Sequence, residues 1–158
     1  MSETGVVVRP ATVADLEGVV ACSSALFAED AGARDSTLNV NWPAERGPAW
    51  FAEALTDPGR LVMVADDGGR TVGHLTGSVS GPTPMRPVTV ATLGSVYVRP
   101  AYRGQKIGAG LVEQFRAWAR HRGAQYAGVT SYAGNEAAVR FYERNGFAVR
   151  SVVLETAL

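Results

Sequence analysis

The sequence predicts an α+β fold, a single domain in which a mixed, mostly antiparallel sheet carries about four helices. Three observations lead there. Short valine-rich runs recur at strand length between Gly/Pro/Asp punctuation. Two of them meet at Asp66-Asp67-Gly68-Gly69, a strong hairpin signal. Further on, strand, helix and strand follow one another, which requires a parallel pair joined by a right-handed crossover.

Val6-Val7-Val8-Arg9-Pro10-Ala11 reads as the first strand, and Thr12 or Asp15 caps a helix over residues 16–28 whose apolar stripe is Leu16, Val19, Val20, Leu26 and Phe27. Residues 29–48, punctuated by Gly32, Pro43, Gly47 and Pro48, read mostly as loop, a length more often functional than idle. A short helix over 49–56 ends at Asp57-Pro58-Gly59. Strands are predicted over 61–65 and 71–80, and the Gly81 to Pro87 segment breaks the pattern before a strand over 88–98. Within it, Gly94-Ser95 is a place for a bulge. The helix over 107–121 repeats Ile107, Leu111, Phe115 and Trp118 on one face, with Glu113, Gln114, Arg116 and Arg120 elsewhere on the cylinder. A strand over 125–131, a helix over 135–145 stopped by Gly146, and a last strand over 147–155 complete the chain. No repeat or linker divides it, so one domain is expected over residues 1–158.

A hydrophobic content of 46% with 19% charged residues excludes a disordered chain. No apolar run reaches the roughly 20 residues of a membrane span, and Met1 to Pro10 lacks a basic-then-apolar leader, so a cytoplasmic protein without membrane partners is expected. The single Cys22 reads as a small buried helix residue. Net charge is zero yet unevenly spread. Residues 1–70 hold 11 acidic and 5 basic side chains, a balance of −6; residues 71–158 hold 4 and 10, a balance of +6. The basic part suits phosphates and the acidic part a cationic amine, unless both are simply solvated faces. The basic residues form no run interleaved with aromatics, which argues against nucleic acid. No metal-ligand spacing, GxSxG or GxxxxGK[ST] occurs.

The chemistry concentrates where the strand Val96-Tyr97-Val98 runs through Arg99-Pro100-Ala101-Tyr102 into Arg103-Gly104-Gln105-Lys106-Ile107-Gly108-Ala109-Gly110 and the 107–121 helix. A helix start leaves about four N–H groups unpaired and carries roughly half a positive charge, and glycines at 104, 108 and 110 permit close main-chain approach, so this entry can grip a diphosphate. Arg103-Gly104-Gln105-Lys106-Ile107-Gly108 resembles the Arg/Gln-x-x-Gly-x-Gly/Ala turn of the Gcn5-related N-acetyltransferases, with Lys106, the chain's one lysine, standing where the first glycine is usual. Downstream, Asn135-Glu136-Ala137-Ala138-Val139-Arg140-Phe141-Tyr142-Glu143-Arg144-Asn145-Gly146-Phe147 resembles the same family's Asn-x-x-Ala-x-x-Phe-Tyr-x-x-x-Gly-Phe. The two motifs occur in the family's order.

The resemblance implies one twisted sheet of six or seven strands, acetyl-CoA as co-substrate with an amine acceptor, and no metal, and it allows a homodimer. It implies that the backbone of residues 103–109 holds the pyrophosphate, that the Val96 N–H faces the thioester oxygen, and that Val98, with Tyr97 between them, pairs with the pantetheine amides as an added strand would. Asn135, Ala138 and Tyr142 share one helix face. Asn135 either caps the helix or touches the cofactor, and Ala138 is small enough for the cofactor to pass. Tyr142, protonated near neutrality, is the candidate general acid for the departing thiolate. Phe141 points elsewhere, toward the core. Many family members carry a carboxylate on the strand before the turn, whereas Leu93-Gly94-Ser95-Val96 has none. A water on Ser95, or Tyr97, His74, Glu29, Asp30 or Asp35, are the remaining candidates for the base. His74 otherwise reads as a hydrogen-bonded structural residue, and His121 as a charge at a helix C-terminus. Trp42, Trp50 and Phe51 either wall an acceptor pocket or lie in the core. A non-catalytic acyl-CoA-binding module is the alternative to an enzyme.

Overall fold

A computed structural model describes residues 5–158; residues 1–4, the start of the expected domain and of the Met1 to Pro10 stretch, lie outside the described residues. The sheet has five strands in the order β1 (Val6–Pro10), β2 (Arg60–Asp67), β3 (Arg70–Ser80), β4 (Val90–Val98) and β5 (Tyr126–Val129). The first four are antiparallel and β5 lies parallel to β4. The helices are α1 (Leu16–Glu29), a single turn α2 (Ala31–Arg34), α3 (Trp42–Thr56), α4 (Ile107–His121) and α5 (Glu136–Arg144). None is long and apolar enough to cross a membrane among the described residues.

Two apolar layers hold the helices to the sheet. On one face, Leu111, Val112 and Phe115 of α4 pack on Leu61, Leu75 and Leu93. On the other, Phe51 and Ala54 of α3 and Val19 of α1 cover Val62 and Val64. The β2–β3 turn is the expected hairpin, with Gly68 and Gly69 at φ of 58° and 96° as a two-residue turn matched to strand twist demands. Cys22 is fully buried, as read from the sequence.

Two expectations fail. The sheet has five strands, not six or seven: residues 147–155 follow α5 without any ladder partner, and Val149, Val152, Val153 and Leu154 are 72–89% exposed. Their β-branched pattern is real, but a strand needs a neighbour to bond with, and β5 has only β4. Residues 29–48 are also not mostly loop. They hold α2 and the first turns of α3, which starts at Trp42 and carries Pro48 inside it. Gly47 lies against Val20 and Phe51 is buried, so packing of α3 on α1 outweighs the local cost of a proline.

The feature that positions the site is a bulge. Thr76 pairs with Ser95 and Gly77 with Leu93, so Gly94 is an extra residue in β4, as anticipated at Gly94-Ser95. A methyl group at Gly94 would lie 2.8 Å from the Thr76 hydroxyl, which accounts for glycine there. The β4–β5 ladder stops at Leu93 opposite Val129, and beyond the bulge the two strands share no pairing.

Candidate active site

Past the bulge, β4 still pairs with β3, and the Arg99 N–H donates to the Val72 carbonyl at 2.8 Å. Alternation along an antiparallel ladder then aims the Tyr97 amide at β3 and the Val96 and Val98 amides at the cleft left by β5. Tyr97 itself is buried, and its phenol is pushed above the ordinary range by burial and by the Glu29 carboxylate.

The turn that follows delivers α4. The first donor satisfied within that helix is the Gly110 N–H, bonded to Lys106 at 3.0 Å, which leaves the amides of Ile107, Gly108 and Ala109 at its open end. Gly104 has φ of 79° and open space where a side chain would stand; Gln105 and Lys106 are exposed. Only the backbone of Ile107 is available, because its side chain is in the core. The other two glycines serve packing. A methyl at Gly108 would lie 3.1 Å from the Phe141 ring, and one at Gly110 would meet Val8, so neither lines an open mouth. Gly108 is instead where α4, Val98 and α5 converge.

Lys106 adopts φ of 63°, the left-handed region. This is the physical reason glycine suits the position, since a Cβ there costs about 1–2 kcal/mol. Lys106→Gly is accordingly expected to raise stability by up to about 1 kcal/mol, whereas Lys106→Ala, which keeps the Cβ, gains nothing. Urea midpoints of the two variants check this; equal midpoints would show that the backbone there is unstrained.

On α5, Asn135 caps its helix: its Oδ1 accepts from the Ala138 N–H at 3.1 Å. Its Nδ2 donates to Asp30 at 3.0 Å. Tyr142 packs between Phe141 and Phe147, with ring centroids 5.3 and 5.8 Å away, on the same core that Val96 and Val98 edge. Burial, with a smaller push from the Asp30 carboxylate, takes its phenol up to about 12.

Glu29, Asp30 and Asp35, named from the sequence only as candidates for the base, form an acidic corner at the end of α1 whose partners sequence reasoning did not find. Glu29 accepts two bonds from Arg103, both 2.7 Å; Asp30 accepts from Asn135 and from Arg34 at 3.1 Å; Asp35 accepts from the Tyr132 hydroxyl at 3.1 Å. These ties span 74, 105 and 97 residues, so nothing in the local spacing pairs the three carboxylates with Arg103, Asn135 and Tyr132. Beside them Phe27, Leu38, Asn39 and Trp42 line an apolar pocket of about 320 Å³. Of the other aromatics, Phe51 is core and Trp50 stacks under Arg60 with its ring 4.3 Å away.

His74 is fully buried. Its Nε2 lies 3.2 Å from the Ser95 hydroxyl, which lies 2.8 Å from that of Thr76, and its Nδ1 is the one buried side-chain N or O without a partner among the described residues. Burial lowers its pKa to about 4. The folded protein therefore holds it neutral while the unfolded chain takes up a proton below about 6.5, so stability is full above pH 6.5 and falls as pH drops toward 4, by about 3 kcal/mol in all. Denaturation at pH 7 and pH 5 of wild type and His74→Leu checks this, since the variant should lack most of the loss.

The family model for the GNAT acetyltransferases matches residues 27–147. The chain belongs to the GNAT acetyltransferase family. Among curated relatives of this GNAT protein, the N-alpha-acetyltransferase RimI of Mycobacterium tuberculosis is 36% identical over 106 residues, covering 67% of this chain and 61% of the relative. An uncharacterized N-acetyltransferase of Mycobacterium tuberculosis is 34% identical over 106 residues, 67% of this chain and 64% of its own. The chain thus spans less than two thirds of the length of the curated relatives it matches. A transcriptional regulator from Bacillus halodurans superposes with a TM-score of 0.75 at 28% identity, covering 97% and 99% of the two chains. The aminoglycoside N-acetyltransferase AAC(6')-Iy, solved with CoA, superposes with a TM-score of 0.80 over 97% and 94%, and at 15% identity shares the fold alone.

Proposed function

We propose that this GNAT protein moves an acetyl group from acetyl-CoA directly to a primary amine of a small molecule or of a peptide or protein, without a covalent acyl-enzyme. One observation carries the reading: the Gly94 bulge parts β4 from β5 and leaves the Val96 and Val98 amides facing a cleft whose end is the open N-terminus of α4. An extended arm bearing two amides fits the strand edge, and a diphosphate fits the amides of residues 104–109. Asn135, through its cap, sets where α5 begins, and Ala138 on the same face leaves room beside it.

The chain's groups divide the chemistry as follows. Attack by the amine forms the C–N bond and places charge on the acyl oxygen, which the Val96 N–H holds without reorganising. Breaking the C–S bond releases thiolate, to which Tyr142 donates its hydroxyl proton; the proton shed by the new amide nitrogen restores the tyrosine. The net transfer is one proton from nitrogen to sulfur. Tyr142 suits this because its raised pKa keeps it protonated throughout the neutral range. His74, with a pKa of about 4, is too weak to deprotonate an alkylammonium near 10.4. The reacting form is thus the free amine, roughly one molecule in 2,500 at pH 7, and Asp30, the carboxylate that tunes Tyr142, draws the ammonium to the site. Protein mixed with acetyl-CoA and a panel of amines, followed by release of free thiol, tests the reading; thiol release that no amine accelerates would overturn it. The alternative, an acyl-CoA-binding regulatory module, draws on the missing β4 carboxylate and is separated by the Tyr142 variant below.

A further inference from the structure

Arg103 closes the mouth of the cleft with its own side chain. Its Nε donates to the Val98 carbonyl at 2.8 Å, its two terminal nitrogens donate to the two Glu29 oxygens at 2.7 Å each, and its guanidinium lies over the Tyr97 ring at 5.4 Å. Three of its five N–H donors are therefore committed. The Val98 carbonyl it covers faces the cleft along with the Val98 amide, so the same backbone group cannot serve an added strand while Arg103 holds it. Nor can the fork formed by the two terminal nitrogens serve a phosphate while it holds both Glu29 oxygens.

We propose that Glu29 is a displaceable counter-ion for Arg103: it holds the guanidinium across the Val98 carbonyl, and a diphosphate takes its place when coenzyme A enters. Glu29 is then a positioning residue that sets cofactor affinity from α1. This rests on the acetyl-CoA reading above. The exchange is cheap because the pair is exposed, at 44% and 45% for the two side chains, and an exposed ion pair contributes at most about a factor of five to an equilibrium. The diphosphate offers the same fork two charges in place of one. Asp30 and Asp35 keep their ties to Asn135 and Tyr132 on the opposite wall, so the α1–α2 corner stays docked when Glu29 lets go.

A double-mutant cycle read by calorimetric titration of coenzyme A tests this. Glu29→Gln should tighten Kd about two- to fivefold, and in an Arg103→Gln background the same change should have no effect, because the group it restrains is gone. A gain that persists in that background would show a bulk charge effect and overturn the proposal, as would an unchanged or weakened affinity in the single variant. If the wild-type protein itself gives no heat with coenzyme A, the acetyl-CoA reading falls first and Glu29 with it; binding by the wild type with an additive cycle removes only the role given to Glu29.

Discussion

Replacing Tyr142 by Phe should lower turnover by about a hundredfold or more and leave coenzyme A affinity within about twofold of wild type. The ring stays, so the contacts with Phe141 and Phe147 that hold α5 on the core are kept. What is lost is the hydroxyl, and with it the proton proposed for the departing sulfur. The half-buried setting of Tyr142, which pushes the phenol up to about 12, makes the loss harder for water to replace. Single-turnover rates with acetyl-CoA and the best amine of the panel, beside calorimetric Kd values, check both halves. A variant with wild-type turnover would remove Tyr142 from the chemistry. A wild type that binds coenzyme A yet turns over no amine would favour the binding module.

Phe115→Ala should cost about 3–5 kcal/mol, a fall in Tm on the order of 10 °C. The ring has no exposed surface and lies against the backbone of β3 so closely that a methyl on Gly77 would sit 2.9 Å from it. That flat seat cannot collapse around an alanine, because strand backbone tied to β2 and β4 on both sides cannot move inward. Because α4 also presents the amides proposed to face the diphosphate, coenzyme A affinity should fall with the stability. Chemical denaturation settles the first point; a cost under about 1 kcal/mol would mean that the α4–sheet contact is not the main core.

Phe115 and Tyr142 differ in what marks them in the sequence. Phe115 stood out from helical spacing alone, and so did the helix that carries it. Tyr142 needed its motif, and its burial and its proximity to Asp30 came only from the fold. The bulge at Gly94-Ser95 was anticipated from a glycine inside a strand pattern. By contrast the strand over 147–155 was read from a β-branched pattern that has no partner, and the start of α3 was hidden behind Pro48. Both misreadings have one cause: local preference was judged without the neighbour that decides whether it is realised.

By itself the sequence determined the periodic elements, the hairpin, the glycine-flanked helix entry and the two ordered motifs, because each depends on residues within a few turns of one another. Only the tertiary structure decided which amides face the cleft, why Lys106 strains where glycine fits, and that Glu29, Asp30 and Asp35 tie the two walls together. Those contacts join groups 74 to 105 residues apart, and charges brought together by folding leave no spacing in the chain to read.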